Sequence, residues 1–351
     1  MSFVWRSIHS DVKQAKAERE LRRRIGLGFL AELGSEKAAA ICSREKIATR
    51  AAGEINNSSG AFLVAEELET AIARYRELAG IIRGEADVRA MGSDALNVPR
   101  SVRGATAGFI PENHSASPVD VEIGSIGLRA KKAMSLIHAS TELAEDAIED
   151  FAGEAVADFG NAFAVLEDTC GFNGDGSAPY GGMTGVLTLL ANSNLAGTVS
   201  ASAGHDTLAE VDANDIATVQ ALCPEQYLGD AKFYCSSAGL AALVRLGATP
   251  FGTALTVRGS RPRFQYGGFE IRPCPRMPGR GSQTGKPVIL FGDMHAAVIM
   301  GDRRGIAVRT STQRHFEKDI IAVKATQRFE VVPHNLGDST NPGALVALLA
   351  A

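Results

Sequence analysis

Few residues of this 351-residue chain stand at spacings that could support chemistry. The run Asn173-Gly174-Asp175-Gly176 is similar to the start of a calcium-binding loop, but the distal bidentate glutamate that completes such a loop is missing. Ser236 and Ser237 lack the flanking glycine of a nucleophile elbow and fit the start of a helix better. The histidines lack the paired spacing of metal ligands. We therefore predict no catalytic residue, no cofactor and no metal site.

Carboxylates crowd one short stretch, at Glu142, Glu145, Asp146, Glu149 and Asp150. Two carboxylates on successive helical turns could act as a general acid and a general base, but no pocket signal accompanies them. A long helix is predicted to begin here, and the helix dipole favours negative charge at that end. We interpret these residues as end stabilisation and a solvated helix face.

The most informative segment is the glycine-rich run from Phe172 to Leu187, which follows the long helix. No lysine followed by serine or threonine is present to make a phosphate-binding loop, so the glycines shape the backbone. We predict a hinge between two domains. Its residues are Gly174, Asp175, Gly176, Gly181 and Gly182. Gly174 and Gly176 are both expected to take conformations that are closed to residues with side chains.

Apolar periodicity predicts the elements around this hinge. One long helix, from about Asp146 to Cys170, carries an apolar stripe and is the candidate spine of a domain. Other helices are expected at 66–83, 215–222 and 236–246, and strands at 231–235, 267–273, 287–293 and 319–332. The last of these strands should return beneath the spine helix. Together these elements predict an α+β protein.

Residues 98–139 alternate as strands do and are interrupted by a polar turn at 112–118, which predicts a long hairpin. An isolated two-stranded hairpin is only marginally stable in water. It must therefore either fold on its own sheet, the default for adjacent strands, or lie across a neighbouring subunit.

Composition excludes several classes of protein. A net charge of −4 argues against a protein whose main role is sequence-specific binding of nucleic acid. The five cysteines are odd in number and form no Cys-x-x-Cys pair, which favours reduced thiols used in packing. They are Cys42, Cys170, Cys223, Cys235 and Cys274. No apolar run reaches the length of a bilayer, so we expect no membrane partner and a protein that is soluble when made.

The first fifty residues have strong helix-forming composition with little to bury. Their cluster Arg22, Arg23 and Arg24 has two interpretations. It could contact DNA or a neighbouring subunit, or it could be a solvated helix face, which is what charge runs usually mean.

Several short motifs follow one another in a fixed order. They are Gly60–Leu68, Asn97–Arg100, Ala107–Glu112, Leu128–Lys132, Ser140–Asp146, Leu290–Asp293 and Met300–Gly305. In that order, and together with the glycine run, they resemble the major capsid proteins of tailed bacteriophages that share the HK97 fold, or the head protein of a related gene transfer agent. Ala65 departs from the family, which usually has proline there. The resemblance covers roughly residues 55 to 345.

The resemblance implies an HK97-like α+β capsid fold: an N-terminal arm, an extended β-hairpin (the E-loop), a peripheral domain with a spine helix on a β-sheet, and an axial domain whose central mixed sheet is flanked by helices. The expected divisions are an N-terminal helical extension (1–50), an arm (51–66), a first peripheral part (67–97), the E-loop (98–139), the peripheral domain with its spine (140–180), the axial domain (181–305), and peripheral return strands with a C-terminal tail (306–351).

The resemblance also implies a function. We expect hexamers and pentamers that form an icosahedral shell around double-stranded DNA, with a portal and possible scaffold or decoration proteins as further partners. The virion is then the location, and the bacterial host cytoplasm is the place of assembly. Residues of the hairpin expected at subunit contacts are Glu112, Arg129, Lys131 and Lys132. The alternatives are an encapsulin-like nanocompartment and, more remotely, a soluble enzyme with a glycine-rich ligand loop.

Some members of this family link subunits covalently through a hairpin lysine, a late asparagine and a glutamate that acts as base. In this chain Lys131 or Lys132 could supply the amine, but Asp319 stands at the asparagine position and Thr326 at the glutamate position. A carboxylate cannot expel ammonia as an amide does, and threonine cannot deprotonate lysine. We therefore expect a noncovalent shell.

Overall fold

A computed structural model describes residues 60–103, 122–140, 148–192, 194–247, 255–258, 261–311 and 320–351, with four further residues between 40 and 44. The helices are α1 (Gly60–Ala79), α2 (Ile82–Glu85), α3 (Ile148–Asn173), α4 (Val186–Asn192), α5 (Ala213–Leu222), α6 (Ser237–Leu246) and α7 (Met294–Ala297). The first strands are β1 (Asp87–Ala90), β2 (Ala95–Arg103), β3 (Glu122–Arg129), β4 (Lys131–Ser140), β5 (Thr198–Ser200) and β6 (Lys232–Cys235). The later strands are β7 (Leu255–Arg258), β8 (Arg261–Tyr266), β9 (Phe269–Pro273), β10 (Pro287–Gly292), β11 (Val298–Ser311), β12 (Ile320–Pro333) and β13 (Leu345–Leu349).

These strands form three sheets. A four-stranded sheet has the order β1-β11-β12-β4, and a seven-stranded sheet has the order β5-β13-β10-β6-β9-β8-β7. Strands β2 and β3 pair with each other as a separate antiparallel hairpin. The α+β class predicted from the sequence is therefore confirmed.

The long helix α3 packs with α1 on one face of the four-stranded sheet. Its apolar stripe is buried, with Phe159 and Phe163 almost fully shielded from solvent. Gly160 lets the two helices approach closely, because a Cβ atom there would lie 2.4 Å from the Cβ of Tyr75. The predicted spine helix is thus present, and the strand predicted at 319–332 does return beneath it as β12.

The seven-stranded sheet has its own apolar core. Aromatic rings meet on one of its faces, where the Phe233 and Phe291 centroids are 4.6 Å apart and Phe269 meets Phe291 edge-on at 5.0 Å. Helix α6 begins next to this sheet, capped by the Ser236 side chain, which accepts a hydrogen bond from the Gly239 N–H. That cap was one of the two predicted for this helix.

Two expectations about chain order were wrong. The segment expected to close the hairpin, up to residue 139, instead forms β4, which pairs with β12 from Lys131 to Ser140. The hairpin proper therefore ends at Arg129. The C-terminal segment, expected to be a tail of the peripheral domain, forms β13 inside the seven-stranded sheet, between β5 and β10. No helix in the part of the chain that is described is long and apolar enough to cross a bilayer.

A buried cluster of ions joins the helices to the four-stranded sheet. Arg83 from α2 binds Glu167 of α3 with two contacts, Nε to Oε2 at 2.9 Å and Nη2 to Oε1 at 2.7 Å. The same guanidinium donates to Asp302 of β11 at 2.8 Å. Arg76 of α1 donates to the Gln327 side chain of β12 at 2.7 Å. Two arginines and two carboxylates thus balance in charge, which is the condition for burying them.

A second carboxylate on α3 holds the start of α2. Asp168 accepts hydrogen bonds from the backbone N–H groups of Ile81 at 2.9 Å and of Ile82 at 2.9 Å. These donors have no partner within the helix that they begin, so the carboxylate satisfies them. Glu167 and Asp168 are adjacent in sequence and together fix α2 against α3.

Replacing Glu167 tests the importance of this cluster. We expect Glu167→Gln to lower the free energy of unfolding by about 3 kcal/mol, because it leaves two arginines buried with one carboxylate. Chemical denaturation of the isolated subunit measures the change. The control is Glu154→Gln on the exposed side of the same helix, where we expect a change within about 0.5 kcal/mol. Equal effects from the two variants would contradict the role given to the cluster.

Candidate assembly site

The glycine run forms a closed loop at the end of α3. The Gly176 N–H donates to the Met183 carbonyl at 2.9 Å, and the Gly185 N–H donates to the Gly174 carbonyl at 2.8 Å. An isolated bridge between Asp175 and Thr184 completes this ladder. The loop is therefore a hydrogen-bonded hairpin that folds back on itself.

The conformations of its glycines only partly match the prediction. Gly176, Gly181 and Gly182 have φ values of 82°, 62° and 77°, in the left-handed region that favours glycine. Gly174 does not have a positive φ, so that part of the prediction was wrong. It is closed to side chains for another reason: a Cβ atom there would lie 2.5 Å from the Met183 carbonyl oxygen and 2.6 Å from that of Cys170.

The loop also packs on the four-stranded sheet. The Met183 sulfur lies 3.4 Å from the backbone nitrogen of Val331, which donates to it. A Cβ atom at Gly181 would lie 3.5 Å from the Cβ of Lys131. Because the loop is tied both to the end of α3 and to this sheet, its role as a hinge between domains stays a prediction.

The two glycines at the start of the loop should respond differently to substitution. Gly174→Ala places a methyl group against two backbone oxygens, and we expect it to lower the free energy of unfolding by at least about 2 kcal/mol. In Gly176→Ala the added methyl group meets only the Thr184 hydroxyl, at an ordinary contact distance of 3.5 Å, so the change should cost about 1 kcal/mol through its positive φ. Denaturant unfolding of both variants compares them. The opposite order would show that the loop relaxes around the added methyl group.

The two large sheets are held together by a carboxylate clamp at Glu85, the last residue of α2. Its carboxylate lies 2.5 Å from Lys232 Nζ and 2.9 Å from Arg272 Nε, on the neighbouring strands β6 and β9. The Tyr234 hydroxyl lies 3.4 Å away. Three donors of the seven-stranded sheet thus converge on one carboxylate that belongs to the helical layer of the other sheet. Periodicity gave no signal for this clamp.

The β2–β3 hairpin is attached to the body of the subunit by polar contacts at three points and by an apolar cluster in which Val98 and Leu128 are buried with Met91 and Ile299. Arg100 donates to the His334 carbonyl, and the Arg129 N–H donates to the Glu330 carboxylate. Asp94, just before β2, bridges Arg303 and Arg328 of the sheet. The hairpin therefore leaves the body in a fixed direction.

The predicted contact residues are placed as follows. Arg129 ends β3, while Lys131 and Lys132 begin β4 and face Phe329 and Arg328 of β12. Glu112 lies outside the described residues, and so do Arg22, Arg23 and Arg24. None of these positions is tested as a subunit contact.

Glu330, which accepts the Arg129 N–H, has a carboxyl group with a raised pKa. Burial raises the pKa of its carboxyl from 4.5 to about 7, although nearby Lys131 and Arg129 favour the ionised form. Between pH 4.5 and about pH 7, the Glu330 carboxyl is protonated in more of the folded chains than of the unfolded chains. The contribution of Glu330 to the free energy of unfolding is therefore fully present below about pH 4.5 and is lost as the pH rises towards 7.

A neutral side chain at this position should remove that loss. We expect Glu330→Gln to raise the free energy of unfolding at about pH 8 and to leave it nearly unchanged at about pH 4.5. The glutamine oxygen still accepts the Arg129 N–H. Denaturant unfolding at both pH values measures the difference, with Glu154→Gln as an exposed control. An equal effect at the two pH values would contradict the assignment.

One polar cluster lies away from the hairpin. His205, Asp212 and Asp215 bring their ligand atoms within 4.8 Å of one another, a grouping that sequence spacing missed. Hydrogen bonds within the protein explain it. Asp212 and Asp215 form a reciprocal capping box at the start of α5, and Asp215 also lies 2.6 Å from His205 Nδ1. These bonds hold the pKa of Asp215 down at about 2, against the opposing effect of burial.

The cysteines pack as predicted wherever they are described. Each of the four is free and buried. Burial raises the pKa of Cys170 and Cys223 to about 11, and that of Cys235 and Cys274 to about 12. Such thiols stay protonated at neutral pH and are poor nucleophiles.

The structure combines a separate two-stranded hairpin, a long helix packed on a four-stranded sheet, and a second, mixed sheet. A family model described as the phage capsid family matches residues 60–335. The chain belongs to the phage capsid family. A search of curated protein sequences gave no match.

Solved structures show the same fold. The capsid of an empty GTA particle aligns at 16% identity with a TM-score of 0.61, covering 89% of this chain and 98% of the other. A structure from Microbacterium phage Oxtober96 aligns at 16% identity with a TM-score of 0.58 and the same coverage. The SrpI encapsulin complex from Synechococcus elongatus PCC 7942 aligns at 12% identity with a TM-score of 0.53, covering 88% and 94%.

Family and fold together identify a structural protein of a capsid. It assembles with copies of itself into a shell, and the virion is its location. The resemblance stated from the motifs is thereby confirmed.

Proposed function

We propose that copies of this chain form hexamers and pentamers of an icosahedral head, assembled in the cytoplasm of a bacterial host around double-stranded DNA. The protein acts as a structural component, without catalysis or a cofactor. The observation that carries this proposal is the hairpin. Its strands pair with each other in a sheet of their own, apart from both large sheets.

The hairpin geometry supports a contact with a neighbouring subunit. Arg100, Arg129 and Asp94 attach the hairpin to its own subunit, and Val98 and Leu128 are buried against Met91 and Ile299, while β2 and β3 pair only with each other. A ribbon of this kind is marginally stable alone and has exposed edges, so a second surface stabilises it. A neighbouring copy supplies that surface in a closed shell.

Other partners are proposed on weaker grounds. Arg22, Arg23 and Arg24 would give non-specific contacts with packaged DNA. A portal, and scaffold or decoration proteins, are further proposed partners of the head. An encapsulin-like compartment would enclose a cargo protein in place of DNA, and the basic N-terminal segment favours the head.

We also propose that the shell is noncovalent. Thr326 lies in β12, where its hydroxyl donates to the Ala307 carbonyl at 3.3 Å, and it has no basic group to activate a lysine. Asp319 lies outside the described residues. Particles boiled in detergent should therefore release a single monomer species, and a ladder of linked chains would overturn this part of the proposal.

Removing the hairpin tip tests the assembly. We expect the full chain to form shells that protect DNA from nuclease, seen by electron microscopy and by nucleic-acid extraction. A variant in which residues 104–121 are replaced by a short turn should remain folded, with an unchanged melting temperature, but should form no shells. The hairpin makes contacts outside its own subunit in this proposal, so only assembly is lost. Normal particles from the deletion variant would refute the proposed contact, and particles without DNA from the full chain would favour the nanocompartment.

A further inference from the structure

One face of the four-stranded sheet is basic and is not covered by the helices. We define this basic sheet face by the residues Lys132, Arg304, Arg309, Lys324 and Arg328. Side chains along each strand point alternately to the two faces of the sheet. Gln327 points to the helix layer, where it binds Glu167, and its neighbour Arg328 points to the other face. The five basic residues line one cavity of about 200 Å³, and no carboxylate lines it among the residues that the structure describes.

The strand register places these charges in rows. Arg328 lies opposite Arg304 on one side and opposite Lys132 on the other. Four residues earlier on β12, Lys324 lies opposite Arg309 and Leu136. Like charges directly opposite each other destabilise a sheet, so the folded subunit carries an unfavourable arrangement here.

Little within the subunit relieves this repulsion. Arg328 has Asp94 at 3.0 Å, at the margin of the face. For the other four basic residues, no ion pair occurs within the described part of the chain. On the same face, Met134 and Leu136 are 58% and 46% exposed, which adds apolar surface to the basic face. Such a surface fits an acidic segment that also carries apolar side chains.

The chain itself contains a segment of this kind. From Ala133 to Ala231 the sequence has no lysine or arginine, and its carboxylates are densest at Glu142, Glu145, Asp146, Glu149 and Asp150. Leu143 and Ile148 stand among them. We call residues 142–150 the acidic run. Along the chain, it connects the last residue of β4 to the first turn of α3.

The acidic run of the same copy cannot cover both rows. Lys132 stands eight residues before Ser140 on β4, which is about 26 Å along an extended strand. The seven residues between β4 and α3 span at most about 25 Å, and this length must also connect to α3 on the opposite face of the sheet. It is therefore too short to extend along the basic sheet face as far as Lys132. A second copy does not have this restriction.

We propose that the basic sheet face of one subunit binds the acidic run of a second copy. The proposal rests on the proposed assembly into a shell and names a contact within it that is separate from the hairpin. The two surfaces differ, so the contact is heterologous and repeats from copy to copy, as closed rings and shells require. Salt should weaken it, since the charges at the rim of the face are exposed.

Complementary charge reversals test the contact. Variant A carries Arg309→Glu and Lys324→Glu, and variant B carries Glu145→Lys and Asp146→Lys. In each variant alone, like charges face each other across the contact between copies. We therefore expect the association of subunits to weaken about tenfold or more. A chain that carries all four reversals restores opposite charges at every contact, in pentamers as well as hexamers, so it should assemble as the unaltered chain does. Sedimentation velocity at low salt, followed by electron microscopy, measures both effects.

The controls separate the possible outcomes. Arg280→Glu with Lys286→Glu reverses two exposed bases elsewhere and should leave assembly unchanged, and thermal unfolding shows whether A and B remain folded. Normal shells from A or from B alone would overturn the proposal. If a variant with Glu112→Lys and Asp120→Lys restored assembly when combined with A, the hairpin would be the segment that binds the basic sheet face, and the proposal would be overturned. Shells of A that are normal except that they contain no DNA would overturn it as well. Failure of the unaltered chain to form any particle would instead contradict the proposed function.

Discussion

The buried pairing of Arg83 and Arg76 with Glu167 and Asp302 is the constraint on which the rest of the subunit depends. It joins α1, α2, α3 and β11 through groups that cannot be left unpaired away from water. Helix α2 leads directly into β1 and then into the hairpin, so the ions that fix α2 also fix where the hairpin leaves the body. Glu85, at the other end of this short helix, then attaches the second sheet.

Local pattern was enough to predict α3, the cap of α6 and the capsid-type fold, because periodicity and motif order are properties of neighbouring residues. The pairing of strands was harder. Strand β4 was assigned to the hairpin since alternation continues through Ala130, and nothing local shows that the partner changes from β2 to β12 there. The ion cluster was also missed, because Arg83 meets Glu167 across 84 residues and Arg76 meets Gln327 across 251.

Net charge describes this subunit poorly. A value of −4 suggests a mildly acidic surface, yet the lysines and arginines are absent from the whole stretch that contains the spine helix and the start of the axial sheet. Several of them lie on β11, β12 and the beginning of β4. A subunit of this kind has a large charge asymmetry between its layers, and its long-range field depends on orientation more than on total charge.

The position of β13 has a consequence for how the subunit folds. Its residues are almost fully buried between β5 and β10, although about fifty residues of the other sheet separate β10 from it along the chain. The seven-stranded sheet stays split, with two open edges, until residues 345–349 insert. During synthesis these edges are exposed to other nascent chains, which is where unwanted strand pairing begins. Because the inserted strand follows the last strand of the four-stranded sheet along the chain, the seven-stranded sheet is the later of the two to be completed, and the subunit becomes competent to meet other copies only as a whole.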